Sequence, residues 1–312
     1  MDRNSRIYVA GHQGLVGSAL VRNLKNKGYK NLIVKTQQEL DLTNQTAVDY
    51  FFETAEIDYV FLAAAKVGGI GANCAFPADF ILENQLIQCN VIANSYKHRV
   101  KKLLFLGSSC IYPKLCPQPI KEEYLLTGPL EKTNEAYALA KISGLKMCQY
   151  FNHQYGTNNI SVMPTNLYGP NDRFDAEHSH VVPAMIVKMD TAKSTNSETV
   201  ELWGTGKPRR EFLYVDDMAD ACIFLMEEYN GTEHLNIGTG KDISIKELAY
   251  MIKDIVGYEG KLIFNKSNLD GTPRKLLDVS KIERLGWKAK MQFEEGLRNA
   301  YQYYLEYVKK NT

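Results

Sequence analysis

Long apolar runs are missing from this 312-residue sequence, and so is an excess of charge of either sign. No segment approaches the roughly 20 apolar residues that a helix needs to cross a bilayer, and residues 1–6 lack the apolar core of a signal peptide. The 37 basic and 36 acidic side chains leave a net charge of +1, which predicts no nucleic acid as a partner. We therefore expect a cytoplasmic protein that binds neither nucleic acid nor a membrane.

Cysteine and histidine are too few and too scattered to indicate a metal site. The six cysteines form no Cys-x-x-Cys pair, and the six histidines show no His-Glu-x-x-His pattern. These spacings predict neither zinc nor a redox pair, and we expect no bound metal. A chain of this length can fold around apolar cores without disulfides, so most thiols are expected to be free and buried.

What the sequence does contain is an alternation of short apolar runs and helical patterns. Strands are predicted at 7–10, 32–34, 59–63, 103–106 and 160–163, with helices at 15–27, 77–98 and 134–155. Continuous apolar runs are typical of a parallel sheet that helices cover on both faces. We predict an α/β protein: a Rossmann-type, doubly wound parallel sheet in residues 1–170, and a smaller mixed α/β substrate domain in 171–312. Part of the second segment, about 211–240, is expected to return to the sheet.

A glycine-rich loop with the spacing Gly-x-x-Gly-x-x-Gly follows the first predicted strand. The first glycine allows a tight turn, the second lets the backbone approach a pyrophosphate, and the third lets helix and strand pack closely. Three such glycines also occur in ordinary strand–helix turns, but here they open the helix after the N-terminal strand, where its N-terminus would face a phosphate. The predicted cofactor loop consists of Gly11, His12, Gln13, Gly14, Leu15, Val16 and Gly17.

The end of the second strand favours NADP over NAD. A carboxylate there would bind the ribose 2′-hydroxyl of NAD and repel the 2′-phosphate of NADP, whereas this chain has Lys35. We assign Asp41 and Leu42, which come later, to the adenine edge of the cofactor site. A solvated loop aspartate is the alternative for Asp41.

A tyrosine and a lysine four residues apart indicate proton transfer. Tyr137 and Lys141 would share one face of the helix at 134–155, and the ammonium is expected to lower the pKa of the phenol. An exposed surface pair is the common alternative. The segment 106–110 weighs against it, because it places the Ser108 hydroxyl at the carboxyl end of the fourth strand, where doubly wound sheets bind ligands. A serine there can hydrogen-bond a substrate carbonyl.

Together these motifs resemble the extended short-chain dehydrogenase/reductase family, in the branch that acts on nucleotide sugars. The glycine loop, Ser108 and the Tyr137/Lys141 pair carry the resemblance, and residues 63–70, 107–114, 163–170, 210–217 and 270–275 extend it over nearly the whole chain. The resemblance implies an NADPH-dependent enzyme for a GDP-sugar, which epimerises C3 and C5 of a 4-keto-6-deoxymannose and then reduces its C4 ketone. It also implies a homodimer.

The same resemblance implies roles for individual residues. Ser108 and Tyr137 would stabilise an enolate oxygen, Cys110 and His180 would exchange protons on opposite faces of the sugar, and Lys141 would hold the nicotinamide ribose. Further cofactor contacts are implied for Leu106, Gly107, Pro164, Thr165, Asn166, Leu167 and His180, and substrate contacts for Ser108, Lys188, Trp203, Arg210 and Asp270.

Several alternatives stay open at this stage. His178 is a second candidate histidine, a buried inert thiol is the alternative for Cys110, and a core position is the alternative for Trp203. Which of Cys110 and His180 acts at C3 and which at C5 is not fixed. Gln13 stands where the family often has arginine, which weakens the predicted preference for NADP.

Three other functions are less consistent with these residues. A nucleotide-sugar 4-epimerase that retains NAD would leave Cys110 idle, and a 4,6-dehydratase would have an Asp-Glu pair where this chain has Ser109 and Cys110. A redox-sensing binding module with this fold typically lacks the tyrosine or the lysine, and both are present here.

Overall fold

The computed structural model describes residues 1–176, 179–267 and 271–311. The strands are β1 (Ile7–Ala10), β2 (Leu32–Ile33), β3 (Tyr59–Leu62), β4 (Lys102–Leu106), β5 (Asn159–Pro164), β6 (Asn166–Tyr168), β7 (Thr199–Trp203), β8 (Arg209–Tyr214), β9 (Leu235–Ile237), β10 (Asp242–Ser244), β11 (Lys261–Asn265) and β12 (Arg274–Lys275). The helices are α1 (Leu15–Asn26), α2 (Gln45–Ala55), α3 (Ile70–Ala75), α4 (Pro77–Lys97), α5 (Glu135–Tyr155), α6 (Val181–Ser194), α7 (Val215–Glu228), α8 (Ile245–Val256), α9 (Ser280–Arg284) and α10 (Phe293–Tyr303).

A six-stranded sheet in the order β2-β1-β3-β4-β5-β9 forms the centre of the molecule. Every neighbouring pair in it is parallel, which confirms the predicted α/β class and its Rossmann-type sheet. The five strands predicted in the first half all form, and β9 adds the sixth strand beside β5.

Helices cover this sheet on both faces, which is why its strands read as continuous apolar runs. Strand β1 shows the arrangement, since all four of its residues are buried. Ile7 and Val9 pack into one core with residues of α1 and α7, whereas Tyr8 and Ala10 pack into another with residues of α2 and α4.

The smaller sheets belong to the second half of the chain. Strands β10, β8 and β12 lie side by side, β6 pairs with β8, and β11 pairs with β7. Helices α6, α8 and α10 pack around a third apolar core with residues of β7 and β8. None of the described helices has the length and apolarity that crossing a bilayer would need.

A single buried carboxylate joins the two halves. Glu211 on β8 is fully buried, and its carboxylate accepts hydrogen bonds from the backbone N–H groups of Gly240 and Leu277, at 2.7 and 2.9 Å. Its carbonyl oxygen accepts from the side chains of Thr165 and Asn166, at 3.1 and 2.8 Å. The end of β5 is therefore fixed to the same residue as the loop after β9 and the segment after β12.

Candidate active site

Two glycines of the loop between β1 and α1 are required by close backbone contacts. Gly11 has φ +82°, and a Cβ there would lie 2.8 Å from the Cα atom of Ala64. A Cβ on Gly17 would lie 2.0 Å from the carbonyl oxygen of Gly11. A Cβ on Gly14 would meet only that same oxygen, at 3.5 Å, so the protein itself does not require glycine at this position. Space beside Gly14 is what a closely approaching pyrophosphate needs.

The same loop fits the phosphates of a dinucleotide. Helix α1 begins with no side-chain cap and no acidic residue in its first turn. Its N-terminal N–H groups can therefore donate hydrogen bonds to an anion. The Nδ1 atom of His12 is buried and has no hydrogen-bond partner among the described residues. A buried polar atom without a partner is destabilising, and a phosphate oxygen would relieve that. Gln13 is exposed beside it.

A carboxylate lies closer to the end of β2 than the sequence suggested. The side chain of Glu39 turns back, and its carboxylate accepts a hydrogen bond of 2.8 Å from the backbone N–H of Thr36. Lys35 Nζ lies 3.9 Å from the other oxygen of Glu39. The Thr36 hydrogen bonds, followed by the charges of Lys35 and His12, lower the pKa of Glu39. Lys35 is thus the cation at the strand end, with part of its charge balanced by Glu39.

Asp41 and Leu42 have local structural roles. The Asp41 carboxylate accepts hydrogen bonds from the N–H and the hydroxyl of Thr43, at 2.9 and 2.8 Å. Leu42 is buried in the core, and its carbonyl accepts a hydrogen bond of 2.8 Å from Asn90. Their assignment to the adenine edge stays a prediction.

The segment after β4 places the serine and the cysteine at the carboxyl end of the sheet. Gly107 donates a backbone hydrogen bond of 2.8 Å to Val162, and a Cβ on it would lie 2.3 Å from the sulfur of Met163. Ser108 Oγ accepts a hydrogen bond of 3.3 Å from the backbone N–H of Cys110, which caps the 3-10 helix Ser109–Ile111. Cys110 is 6% exposed, so its side chain is almost completely shielded from solvent.

Tyr137 and Lys141 lie one helical turn apart on α5, facing the same strand end. Lys141 Nζ donates a hydrogen bond of 2.8 Å to the carbonyl oxygen of Leu106 and lies 5.7 Å from the centre of the Tyr137 ring. Burial lowers the pKa of Lys141 to about 8. This geometry is consistent with the prediction that Tyr137 and Lys141 share one face of the helix.

The net pKa of the phenol is raised, not lowered as the pairing with Lys141 led us to expect. The pKa of Tyr137 is raised above its ordinary value, first because burial disfavours the phenolate and second because Cys110 lies nearby. Removing the phenol from water outweighs the attraction of the ammonium. A raised pKa keeps the phenol protonated at neutral pH, which is the state that a proton donor needs.

The Cys110 thiol is under opposing influences. Burial raises its pKa, whereas Lys275, the Ser108 hydroxyl and Lys141, in that order, lower it. The sequence analysis did not single out Lys275. Its position in the chain, 165 residues after Cys110, gives no local spacing that would reveal the pair.

His180 is the cap residue of α6 and has a carboxylate partner that sequence reasoning also missed. Its Nδ1 atom lies 3.7 Å from Asp172 Oδ1, and this contact raises the pKa of His180. The other oxygen of Asp172 is buried without a hydrogen-bond partner in the described part of the chain. The Asp172 carboxylate favours the imidazolium form of His180.

The predicted substrate residues fall in two groups. Lys188 Nζ on α6 lies 5.8 Å from the centre of the Trp203 ring, and Trp203 is 67% exposed, so it is not a core residue. Arg210 on β8 lies beside Gly271, where a Cβ would be 3.1 Å from its guanidinium. Asp270 lies outside the described residues, as does His178.

The remaining predicted cofactor residues, Pro164 to Leu167, form the end of β5 and the start of β6. The N–H of Thr165 donates a hydrogen bond of 3.0 Å to the carbonyl of Ile237. Because β1, β2, β4 and β5 are parallel strands of one sheet, the cofactor candidates that follow them lie at the same end of that sheet, where the strands finish. Doubly wound sheets bind ligands at this end, beyond the carboxyl ends of their strands.

The sequence of this chain is similar to that of known proteins over most of its length. Residues 7–238 match the sequence profile described as the NAD dependent epimerase/dehydratase family. The chain is 57% identical to GDP-L-fucose synthase 1 of Arabidopsis thaliana, over 98% of this chain and 95% of that protein. It is 50% identical to the GDP-L-fucose synthase of Escherichia coli K12, over 96% of this chain and 97% of that one.

A solved structure with bound cofactor has the same fold. MlghC, a GDP-mannoheptose C4 reductase from Campylobacter jejuni with NADP bound, superposes with a TM-score of 0.90 at 46% identity, covering 98% of this chain and 99% of its own.

Proposed function

Because the chain belongs to the NAD dependent epimerase/dehydratase family, we propose that it converts GDP-4-keto-6-deoxy-D-mannose to GDP-L-fucose. The reaction is epimerisation at C3 and C5 followed by NADPH-dependent reduction of the C4 ketone. The observation that carries the proposal is the 57% and 50% identity, over nearly the full chain, to two proteins named GDP-L-fucose synthase. The NADP-bound relative with a TM-score of 0.90 supports the cofactor.

The epimerisation steps would use the groups at the end of β4 and the start of α6. A C–H bond next to the C4 ketone breaks, its proton goes to a base, and the electron pair moves to the carbonyl oxygen as an enolate. Ser108 and Tyr137 would donate hydrogen bonds to that oxygen. Cys110 and His180 would then be the two groups that take a proton from one face of the ring and return one to the other.

The reduction step would use α5. NADPH supplies the hydride for C4 when it is bound. Tyr137, protonated at neutral pH because burial raises its pKa, donates its proton to the C4 oxygen. Lys141, whose ammonium donates a hydrogen bond of 2.8 Å to the carbonyl of Leu106, would hold the nicotinamide ribose beside the phenol.

The two halves of the chain would divide the binding. In this proposal residues 1–170 hold the cofactor through the glycine loop, and residues 171–312, apart from the part that returns to the sheet, hold the GDP-sugar. Lys188, Trp203, Arg210 and Asp270 would contact the nucleotide and its diphosphate. A guanidinium such as that of Arg210 suits a diphosphate because it can donate two parallel hydrogen bonds.

The test follows NADPH absorbance and product identity together. Purified protein with GDP-4-keto-6-deoxymannose should consume one NADPH for each GDP-fucose formed, and in D₂O the product should carry deuterium at C3 and C5. An isomerised sugar without net NADPH oxidation would instead identify a 4-epimerase.

A second candidate is C4 reduction of a GDP-linked heptose, which the similarity to the GDP-mannoheptose C4 reductase favours. The same assay separates the two. Reduction of a 4-keto-heptose without deuterium at C3 or C5, and with no turnover of the 6-deoxymannose substrate, would favour the heptose reductase.

We also propose that the enzyme is a homodimer that pairs through α4 and α5. Helix α4 carries exposed apolar side chains one turn apart, Leu82 and Leu86, and α5 carries exposed Leu139 and Tyr150. Such exposed patches are typical of protein–protein contacts. Light scattering should give twice the monomer mass, and Leu86→Glu should shift the protein to a monomer.

A further inference from the structure

The carboxylate beside His180 has few contacts of its own. One oxygen of Asp172 accepts a hydrogen bond of 2.9 Å from the next backbone N–H, that of Arg173, and lies 3.7 Å from His180 Nδ1. The other oxygen is buried and has no hydrogen-bond partner within the described residues. The distance between the carboxylate and the imidazole therefore depends on the backbone turn that leads into Asp172.

That turn consists of Gly169, Pro170, Asn171 and Asp172. The N–H of Asp172 donates a hydrogen bond of 3.3 Å to the carbonyl of Gly169, and Asn171 has φ +65°. Proline at the second position and a positive φ at the third are the features of a type II turn. Asparagine tolerates such a φ better than most residues do. A contact on the Asn171 side chain therefore acts on the residue that directly precedes Asp172.

Helix α10 makes that contact. The hydroxyl of Tyr303, the last residue of α10, donates a hydrogen bond to the side-chain oxygen of Asn171. On the other side of Asp172, the ring centre of Phe174 lies 6.2 Å from that of Tyr303 and 5.4 Å from that of Tyr304. The loop is thus attached to the end of α10 both before and after Asp172.

The segment that contains Tyr303 also holds the helix that begins after His180. Asp190 on α6 is buried, and its carboxylate accepts hydrogen bonds from the Tyr301 hydroxyl at 3.0 Å and from Lys309 Nζ at 2.6 Å. Residues 301–309 therefore contact both elements that bring the pair together, the helix behind the histidine and the loop of the aspartate.

We propose that Tyr303 is a positioning residue for the epimerisation, because its hydrogen bond to Asn171 holds the turn that places the Asp172 carboxylate beside His180. This inference rests on the proposed function, in which His180 exchanges a proton with the sugar. Within the described residues, Asp172 is the charged group that acts on His180, and it raises the pKa of the imidazole. Loss of the Tyr303 hydroxyl should weaken this influence without removing either member of the pair.

The experiment titrates the His180 ring by NMR without any sugar, in full-length wild-type protein, Tyr303→Phe and Asn171→Gly. Tyr303→Phe removes the donor hydroxyl, and Asn171→Gly removes the acceptor while keeping a residue that readily adopts the positive φ. We expect each variant to lower the His180 midpoint by about half a pH unit, which is about a threefold change in the ratio of imidazolium to imidazole. The double variant should shift no further than either single one, because both remove the same hydrogen bond.

Two controls separate this effect from a general loss of stability. Tyr258→Phe removes a different tyrosine hydrogen bond, of 3.0 Å to the carbonyl of Ser197, and should leave the His180 midpoint in place. In an Asp172→Asn background, Tyr303→Phe should cause no further shift, since the carboxylate that it positions is absent. In the sugar assay, Tyr303→Phe should move the His180 limb of the C3/C5 exchange profile to lower pH by the same half unit and leave NADPH affinity unchanged.

The titration is independent of the substrate. A lower midpoint in both Tyr303→Phe and Asn171→Gly, with no further shift in the Asp172→Asn background, supports the proposal even if the GDP-fucose assay fails. An unchanged midpoint in either variant, a fall that persists in the Asp172→Asn background, or an equal fall in Tyr258→Phe overturns it even if that assay succeeds.

Discussion

The Nδ1 atom of His180 lies 3.7 Å from a carboxylate oxygen of Asp172, and the two side chains differ sharply in exposure: 55% for the histidine and 5% for the aspartate. His180 precedes the first residue of α6, where the positive end of the helix disfavours an imidazolium. The buried carboxylate reverses that effect and raises the pKa of His180. The pair therefore favours the imidazolium form of His180 at the start of α6.

Asp172→Asn should lower the pKa of His180 by about one pH unit, because the carboxylate that favours the imidazolium is gone. NMR titration of the His180 ring measures this directly. The limb of the pH profile of C3/C5 deuterium exchange that reports His180 should move to lower pH by the same amount. The contact also makes the free energy of unfolding depend on pH. It stabilises the fold fully below the ordinary histidine pKa, and this contribution is lost as pH rises through the raised pKa of His180.

A matched control exists at the end of α4, whose last turn is followed by His98. His98 Nε2 lies 3.2 Å from Asp49, so Asp49→Asn removes a similar partner from a different histidine. It should leave the titration of His180 unchanged. An equal shift of His180 in both variants would mean that the effect is not local.

Cys110→Ser should impair exchange of solvent deuterium at C3 and C5 more than reduction of a ketone that is already epimerised. A hydroxyl ionises far less readily than a thiol, so we expect at least about a hundredfold loss of exchange, with reduction within a few-fold of wild type. Cys74→Ser, at an exposed thiol, is the control and should change neither rate. An equal loss in both reactions contradicts the division of roles between Cys110 and Tyr137.

Tyr137→Phe should slow reduction of the C4 ketone by a factor of about a hundred or more, because the phenol is the proton donor to the C4 oxygen in the proposed mechanism. NADPH affinity, measured by fluorescence titration, should stay within about twofold, since the phenol is not part of the glycine loop. Tyr150→Phe alters an exposed tyrosine on the same helix and should have wild-type rates. Retained turnover in Tyr137→Phe would remove the phenol from the mechanism.

Lys35→Glu should shift the cofactor preference from NADPH towards NADH. The change replaces a cation at the end of β2 with a second carboxylate beside Glu39, which repels a 2′-phosphate and can bind a 2′-hydroxyl. We expect the ratio of kcat/KM values for the two cofactors to move by at least about tenfold. Lys30→Glu, at an exposed position before β2, should leave the ratio unchanged. A constant ratio in Lys35→Glu would place the 2′-phosphate elsewhere.

The parts of the structure that the sequence predicted are those set by local patterns. The buried run Ile7–Ala10 reads as a parallel strand because both of its faces are covered, and the contact of Gly17 with Gly11 follows from one strand–turn–helix unit. The Tyr137/Lys141 pair lies within one helical turn. Periodicity and spacing carry this information, since the interacting residues are neighbours in the chain.

The parts that the sequence did not reveal depend on burial, on loop conformation and on pairing between elements. Lys275 lies beside Arg210 because β12 pairs with β8, and Asp172 comes within 3.7 Å of His180 through the conformation of the loop between β6 and α6. The raised pKa of Tyr137 depends on how completely α5 covers the phenol. The side chain of Glu39 turns back to the backbone N–H of Thr36, which spacing along the chain does not indicate. Burial and pairing between elements cannot be read from spacing along the chain.

The hydrogen bonds of Glu211 restrict how such enzymes can be recombined. One side chain fixes the loop after β9 and the segment after β12, while its own carbonyl fixes Thr165 and Asn166. A chimaera that takes its amino-terminal half from one relative and the rest from another would join the two halves across this residue. Exchange of sugar specificity between relatives is therefore expected to succeed by replacing surface loops around an intact β8, and to fail when the chain is cut between β5 and β8.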